Sequence, residues 1–184
     1  MKEGLSYFRI KTEWTAEMPN GALQKKKTEE LVLATNYTEA EKVAYSIVES
    51  QGRSDIKSVS NIDITKTKIE EMLFNSTLQH DDKLVGGLVY NYFEESDDTG
   101  VGLYAVKVVY FEEDEKTGNK KTSSETIYTP AESTTDAIDF VHMWLKDNES
   151  RDFTVRDAKF DKAEAVLLPT DVQENKSNTF AKYE

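Results

Sequence analysis

The chain has 184 residues, 38% of them hydrophobic, with 23 Lys/Arg against 35 Asp/Glu for a net charge of −12, and it has no cysteine. Without thiols, disulfides, thiol catalysis and thiolate metal sites are excluded, and no apolar stretch approaches the roughly 20 residues that a membrane helix needs. The acidity is uneven: residues 1–80 carry 11 basic and 12 acidic side chains, whereas residues 81–184 carry 12 and 23. The first part can approach a polyanion and the second repels one, although an acidic excess is also simply a solvated, solubilising surface. The start of the chain, from Met1 to Tyr7, lacks the apolar region of a signal peptide, which predicts an intracellular protein.

Phe8, Ile10, Thr12 and Trp14 alternate with Tyr7, Arg9, Lys11 and Glu13, the period of a half-buried strand. Met18-Pro-Asn-Gly21 marks a turn, because Asn and Gly accept the positive φ of hairpin turns. A return strand follows from about Leu23 through Leu31–Ala34. Thr38 with Glu41 three residues on predicts a capping box, opening a helix that runs to about Ser50 on an Ala40/Val43/Ala44/Ile47/Val48 stripe. Gln51-Gly52 supplies the stop. One or two strands come next, through Ile56, Val59, Ile62 and Ile64, then Ile69 to Phe74. Residues 75–101 have their own character: polar around His80, broken at Gly86-Gly87, aromatic over Leu88–Phe93 and acidic over Glu94–Asp98, which predicts a linker with one extra strand or a binding loop. Tyr104–Tyr110 alternates again, Gly118 sits in a turn, Thr126–Tyr128 returns, and Pro130 is expected to end that strand. Thr135 is the expected cap of a second helix, with Asp136 and Asp139 in its first turn. Phe153–Phe160 and Ala165–Leu168 read as strands, and the polar stretch from Thr170, with Phe180 and Tyr183 its only apolar residues, reads as a flexible tail.

The helix stripe recurs 97 residues later as Ala137/Phe140/Val141/Trp144/Leu145, and Gly118 recurs after Gly21 at the same offset. The expected fold is therefore α+β: two tandem β-β-α-β(-β) repeats of about 70 residues, each a small, mostly antiparallel sheet with one helix on a face. The boundaries expected are repeat one at 1–74, the linker with its aromatic/Gly-Gly insertion at 75–101, repeat two at 102–169 and the tail at 170–184.

The order of these motifs resembles a family of small proteins from gut-type bacteria and their tailed phages, a domain of unknown function. The residues that carry the resemblance are Tyr7–Lys11, Asn20-Gly21, Lys25–Glu29, Leu31–Ala34, Thr38–Glu41, Lys68–Phe74 and Glu115–Gly118, spanning about residues 6–168. The sequence departs from the family at the 86–93 insertion and beyond Pro169. The resemblance implies a phage-associated role and no named activity.

For chemistry, nucleic-acid binding is the leading candidate. Tyr7, Arg9 and Lys11 alternate on the expected outward face of the first strand, beside Lys25, Lys26 and Lys27, and aromatic faces with flanking cations are what sheet-based single-strand binders use. Lys107 and Tyr110, with Lys120 and Lys121, give the second repeat a thinner version, and Tyr90, Tyr92 and Phe93 offer a further stacking platform. The plainer alternative is ordinary sheet surface whose lysines guard an edge against aggregation. The acidic runs Glu94–Asp98 and Glu112–Glu115 lack the spacing and glycine of a calcium loop. His80 is expected in a loop and His142 on a helix surface, and neither accompanies a nucleophile, phosphate-loop or zinc motif. The expectation is a non-enzymatic protein without catalytic residues, metal or cofactor, binding single-stranded DNA through the sheet of repeat one. The alternative is a structural or protein-interaction module that docks phage or host proteins. The expected location is the bacterial host's cytoplasm or the virion, with no membrane partner and with self-association as a further option.

Overall fold

Two long antiparallel hairpins organise the chain. The computed structural model describes residues 4–50, 56–94 and 100–180. In the first hairpin, β1 (Ser6–Glu17) pairs with β2 (Leu23–Ala34) over their full lengths, from Ser6↔Ala34 to Glu17↔Leu23. The expected turn closes it, with the Gly21 N–H donating to the Met18 carbonyl at 2.8 Å. The helix α1 (Tyr37–Ser50) follows, then β3 (Ile56–Lys66), which pairs antiparallel with the other edge of β1. The second hairpin, β7 (Gly102–Glu113) and β8 (Lys120–Ala131), is followed by α2 (Thr134–Asn148) and β9 (Asp152–Asp161), which pairs antiparallel with β7. Its connecting loop has six residues, one more than the five of the first hairpin.

The short strands depart from the expected tandem plan. β4 (Glu71–Met72) pairs parallel with β8, and β10 (Ala165–Leu168) pairs parallel with β2. The strand expected to end each repeat therefore lies in the sheet of the other, and the sheets are not built from contiguous halves. Parallel neighbours need a long crossover, and this chain supplies one in each direction. The insertion is a strand pair, β5 (Leu78–Val85) and β6 (Leu88–Phe93), so His80 is in a strand. The larger sheet runs β3-β1-β2-β10-β6-β5 and the smaller β4-β8-β7-β9. The class is mixed α and β, dominated by strand.

The chain divides into two compact units. The first holds the described residues of Met1–Lys68, Gln79–Phe93 and Ala163–Asn175, and the second those of Ile69–Leu78, Glu94–Lys162 and Lys176–Glu184. In the first, α1 lays Ala40, Val43, Ala44 and Ile47 on Phe8, Ile10, Val32, Ala34, Leu88, Ala165 and Leu167. Fully burying a side chain such as Val43 or Ile47 stabilises the unit by about 1.5–3 kcal/mol. In the second, α2 buries Ala137, Val141 and Leu145, and Phe140 and Trp144 are half-buried.

Three local expectations shift. The helices are capped two residues before the expected threonines: Asn36 Oδ1 accepts from the Glu39 N–H at 2.9 Å, and Ser133 Oγ accepts from the Asp136 N–H at 3.1 Å. Glu39 also turns back to accept from the Thr35 N–H at 3.1 Å. Pro130 does not end β8, which continues to Ala131; pairing with β4 stops at Tyr128, so the missing N–H interrupts no ladder on that side. Residues 170–180, expected as an irregular tail, form the helix α3 (Thr170–Phe180). Its Gln173 exchanges two side-chain hydrogen bonds of 2.9 Å with the buried Asn91 of β6. The Gln51-Gly52 stop, the 95–98 part of the acidic run and Tyr183 lie outside the described residues.

Gly86 and Gly87 are the two central residues of the β5–β6 turn, with φ of +59° and +80°, the pairing of signs that a type I′ hairpin needs. A Cβ on Gly86 would lie 3.2 Å from Ser46 Cβ and 3.3 Å from Val43 Cα, whereas one on Gly87 meets no atom within 4 Å. Both alanine variants incur the left-handed penalty of about 1–2 kcal/mol, and Gly86→Ala adds a tight contact with Ser46 and Val43 of α1. Urea denaturation should therefore rank Gly86→Ala as the more destabilising; equal losses would show that α1 yields freely. The caps give a second comparison. Asn36→Ala should cost about 1 kcal/mol and Thr38→Ala little, and a reversed order in the same experiment would return the cap to Thr38.

Candidate nucleic-acid interface

The register of β1 and β2 sets which side chains share a face. Away from α1, β1 presents Tyr7, Arg9, Lys11 and Glu13, opposite Leu33, Leu31, Glu29 and Lys27 of β2. Val166 and Leu168 of β10 and Val89 of β6 continue that face. All three are buried, as are Leu31 and Leu33, and Tyr7 is 1% exposed. The first half of the sheet is thus dry on both sides, and the outward position expected for Tyr7 is corrected: its ring is inside and cannot stack on a base while the core is closed. The uninterrupted apolar runs Leu31–Ala34 and Ala165–Leu168 are the sequence signal of strands buried on both faces.

Further along the hairpin the surface is charged and alternates in sign. Arg9 Nη1 donates to Glu29 Oε2 at 2.6 Å, Lys11 lies 4.0 Å from the same carboxylate, and Lys27 lies 3.4 Å from Glu13. Lys11 and Lys27 are nonetheless well exposed, at 58% and 77% of their side chains. Exposed pairs of this kind contribute little to stability. Lys26, on the opposite face, places its ammonium 5.4 Å from the ring centre of the buried Trp14. Lys25 is exposed at the hairpin's outer end.

The strand edge adds a second property. β10 pairs with β2 only at Glu30–Val32, and the Glu164 N–H donates to the Glu29 carbonyl at 2.9 Å. Among the described residues, Leu23–Thr28 has no neighbouring strand on that side. Lys25, Lys26 and Lys27 all stand on this open stretch. In β8 the parallel partner reaches only Ile127 and Tyr128, and Lys120 and Lys121 occupy the stretch beyond.

The remaining candidates are scattered. Lys107 is exposed on β7 in the smaller sheet. Tyr110, expected to stack on bases, is 3% exposed. Its hydroxyl donates to Glu125 at 2.6 Å, and the Arg151 guanidinium lies 4.0 Å from its ring centre. Burial first, then the hydrogen bond to the Glu125 carboxylate, pushes its phenol up. Arg151 is itself held by Glu149 through bonds of 2.8 and 2.9 Å, which bring the Glu149 carboxyl down to about 2. Tyr90 and Tyr92 are half-buried neighbours on β6, 6.3 Å apart between ring centres and tilted by 32°. The Tyr92 hydroxyl donates to Asp81 at 3.1 Å, and Phe93 is buried. β10 separates all three from the lysine-bearing strand. The fold places Arg9, Lys11, Lys25, Lys26 and Lys27 along one hairpin, with Lys26 on the opposite face from the others, and leaves the aromatic platform apart from them.

One residue escaped the sequence reading. Glu30, at the end of a polar run that looks solvated, is 0% exposed; no donor meets its carboxyl oxygens in regular hydrogen-bond geometry, and the Thr28 hydroxyl and the Glu164 carboxyl are the polar side chains that act on it. Burial, then the Glu164 carboxylate, pushes its acid well above the usual range. The available signal was its direct abutment on Leu31–Ala34. His142 is exposed on α2, with its ring edge-on to Phe153 at 5.4 Å. Among the described residues, no three His, Asp or Glu side chains stand together as metal ligands, and no helix is long and apolar enough to cross a membrane.

No curated protein and no solved structure matches the chain. A family model, the domain of unknown function DUF4494, matches residues 6–170, from the first residue of β1 to the first of α3. That match takes in every strand of both sheets, and the chain belongs to the DUF4494 family.

Proposed function

We propose that the protein is a non-enzymatic, phage-type single-stranded DNA-binding protein of the host cytoplasm. It holds the strand along the lysine-bearing outer half of the β1–β2 hairpin rather than across the sheet face. The observation that carries this reading is the run Lys25–Lys27 on the open edge of β2. An edge lined with ammonium groups disfavours another β-strand, while the same groups and the backbone N–H donors that face no strand among the described residues suit phosphate oxygens. With Tyr7, Tyr110 and Phe93 buried, contact is led by phosphates rather than by stacking, so sequence preference is weak. The similar hairpin–helix–strand order of the two sheets and the second lysine pair on β8 support descent from a duplicated unit, of which the first copy kept the more basic edge.

Fluorescence anisotropy with a labelled oligothymidylate tests the reading. Each single-strand phosphate contact contributes about −0.7 to the slope of log K against log salt, so four contacts from Lys11, Lys25, Lys26 and Lys27 predict a slope of about −3. Raising the salt from about 50 to 200 mM should then weaken binding by about 50-fold. The triple variant Lys25→Gln, Lys26→Gln, Lys27→Gln should reduce the slope to about −0.7, and Lys107→Gln should leave it unchanged. Absence of binding at low salt overturns the proposal. It would favour a protein-interaction module, for which the exposed Tyr37 and Tyr45 of α1, at 52% and 57%, are the anchors to mutate in a copurification experiment.

A further inference from the structure

Glu30 stands on β2 directly opposite Ile10 of β1 on one side and Ala165 of β10 on the other. A fully buried carboxyl group that no well-placed donor serves is costly when charged, and far less so when it keeps its proton. The fold does not require an acid here. In the smaller sheet the residue in the same register, opposite Val106 and the parallel strand's Glu71, is Ile127, which is also 0% exposed. A second unpartnered polar atom, Thr12 Oγ1, lies on the same face of β1, one pleat along. Glu164 immediately precedes β10, and its N–H anchors that strand to the Glu29 carbonyl at 2.9 Å.

We propose that Glu30 is the proton-bearing member of a carboxyl pair with Glu164, and that ionisation of Glu30 loosens β10 from β2, making the join of the last strand sensitive to pH. Among the described residues, no cation is near enough to act on the charge. On its own strand Glu30 has Thr28 and, on the opposite face, Glu29. On β1 it has Ile10 and Thr12. The α1 stripe over this face is Ala40, Val43, Ala44 and Ile47, and on β6 the residue beyond Ala165 is Tyr92, whose hydroxyl serves Asp81. The charges acting on Glu30 are those of Glu164 and Glu29, both negative. Glu164 is half-buried and its own carboxyl is also raised, chiefly by burial. The sign follows. A carboxyl group raised in the folded state stabilises fully below its unfolded pKa, and that contribution is lost as pH rises through the folded value. Protonated, Glu30 is a neutral group between β1 and β10; ionised, it is a buried anion repelled by the Glu164 carboxylate, and separating the strands admits water.

Amide hydrogen exchange of the full chain reads the join directly. Protection factors, corrected for the intrinsic pH dependence of exchange, are compared at about pH 5.5 and about pH 9 for Val166 and Leu167, with Val106 and Val108 of β7 as the reference. Protection at β10 should fall by roughly tenfold or more relative to that reference, the equivalent of one pKa unit of linkage. Glu30→Gln, which keeps the shape and removes the charge, should abolish the difference, and Glu164→Gln should reduce it. Equal β10 protection at both pH values, or a Glu30→Gln protein with the wild-type response, overturns the proposal. Should Glu30→Gln fail to fold, an undiminished response in Glu164→Gln overturns it equally.

Discussion

The parallel seating of β10 between β2 and β6 is the constraint on which the larger sheet depends. All four of its residues are buried, and it bonds to β2 on one side and β6 on the other. Remove it, and the β5–β6 hairpin loses its only strand neighbour in that sheet among the described residues. The α1 core also loses Ala165 and Leu167. The polar groups around this strand are arranged to hold it: Asn91 donates to the Val166 carbonyl at 3.0 Å and is locked in turn by Gln173. The short β4 plays a similar part beside β8, extended by the Leu73 N–H donating to the Tyr128 carbonyl at 2.8 Å.

The side chains buried by each hairpin and helix were legible because they obey local periods, two along β1 and β7 and 3.6 along α1 and α2. The seating of β4 and β10 was not, because a short apolar run states that it is buried and says nothing about which strand lies next to it. Asn36 and Ser133 show a similar limit. Several polar residues precede each helix, and the cap is whichever of them the preceding strand leaves in reach of a free N–H. α3 was missed because its residues carry almost no apolar stripe. Its described anchors are a polar exchange with Asn91 and, within the second unit, Lys176, whose ammonium donates to the Met72 carbonyl at 2.8 Å and lies over Phe74.

The candidate site divides in the same way. The lysine run of β2 is read from the sequence alone, and its exposure follows from its polar neighbours. The fate of the aromatic residues could not be read, since alternation tells that two faces differ and leaves open whether the more polar one is wet. Tyr7 and Arg9 lie two residues apart on one face, yet the first is in the core and the second is half-buried on Glu29. The boundary between dry and wet sheet passes between them. On the other face burial runs further along β1, through Thr12, Trp14 and Ala16, and Glu30 of β2 is a charge-bearing residue type drawn to that dry side.

The late position of β10 has a consequence for how the protein comes into being. A chain made from its N-terminus exposes β1, β2, α1, β3 and the β5–β6 hairpin long before residue 168 is available, so the larger sheet waits for its interior strand. Pairings between residues some 135 positions apart, such as Glu30 with Ala165, raise the contact order and slow folding. During synthesis the open edge of β2 is longer than in the finished molecule, and the lysines at its outer end then disfavour pairing with other nascent chains until the last strand arrives.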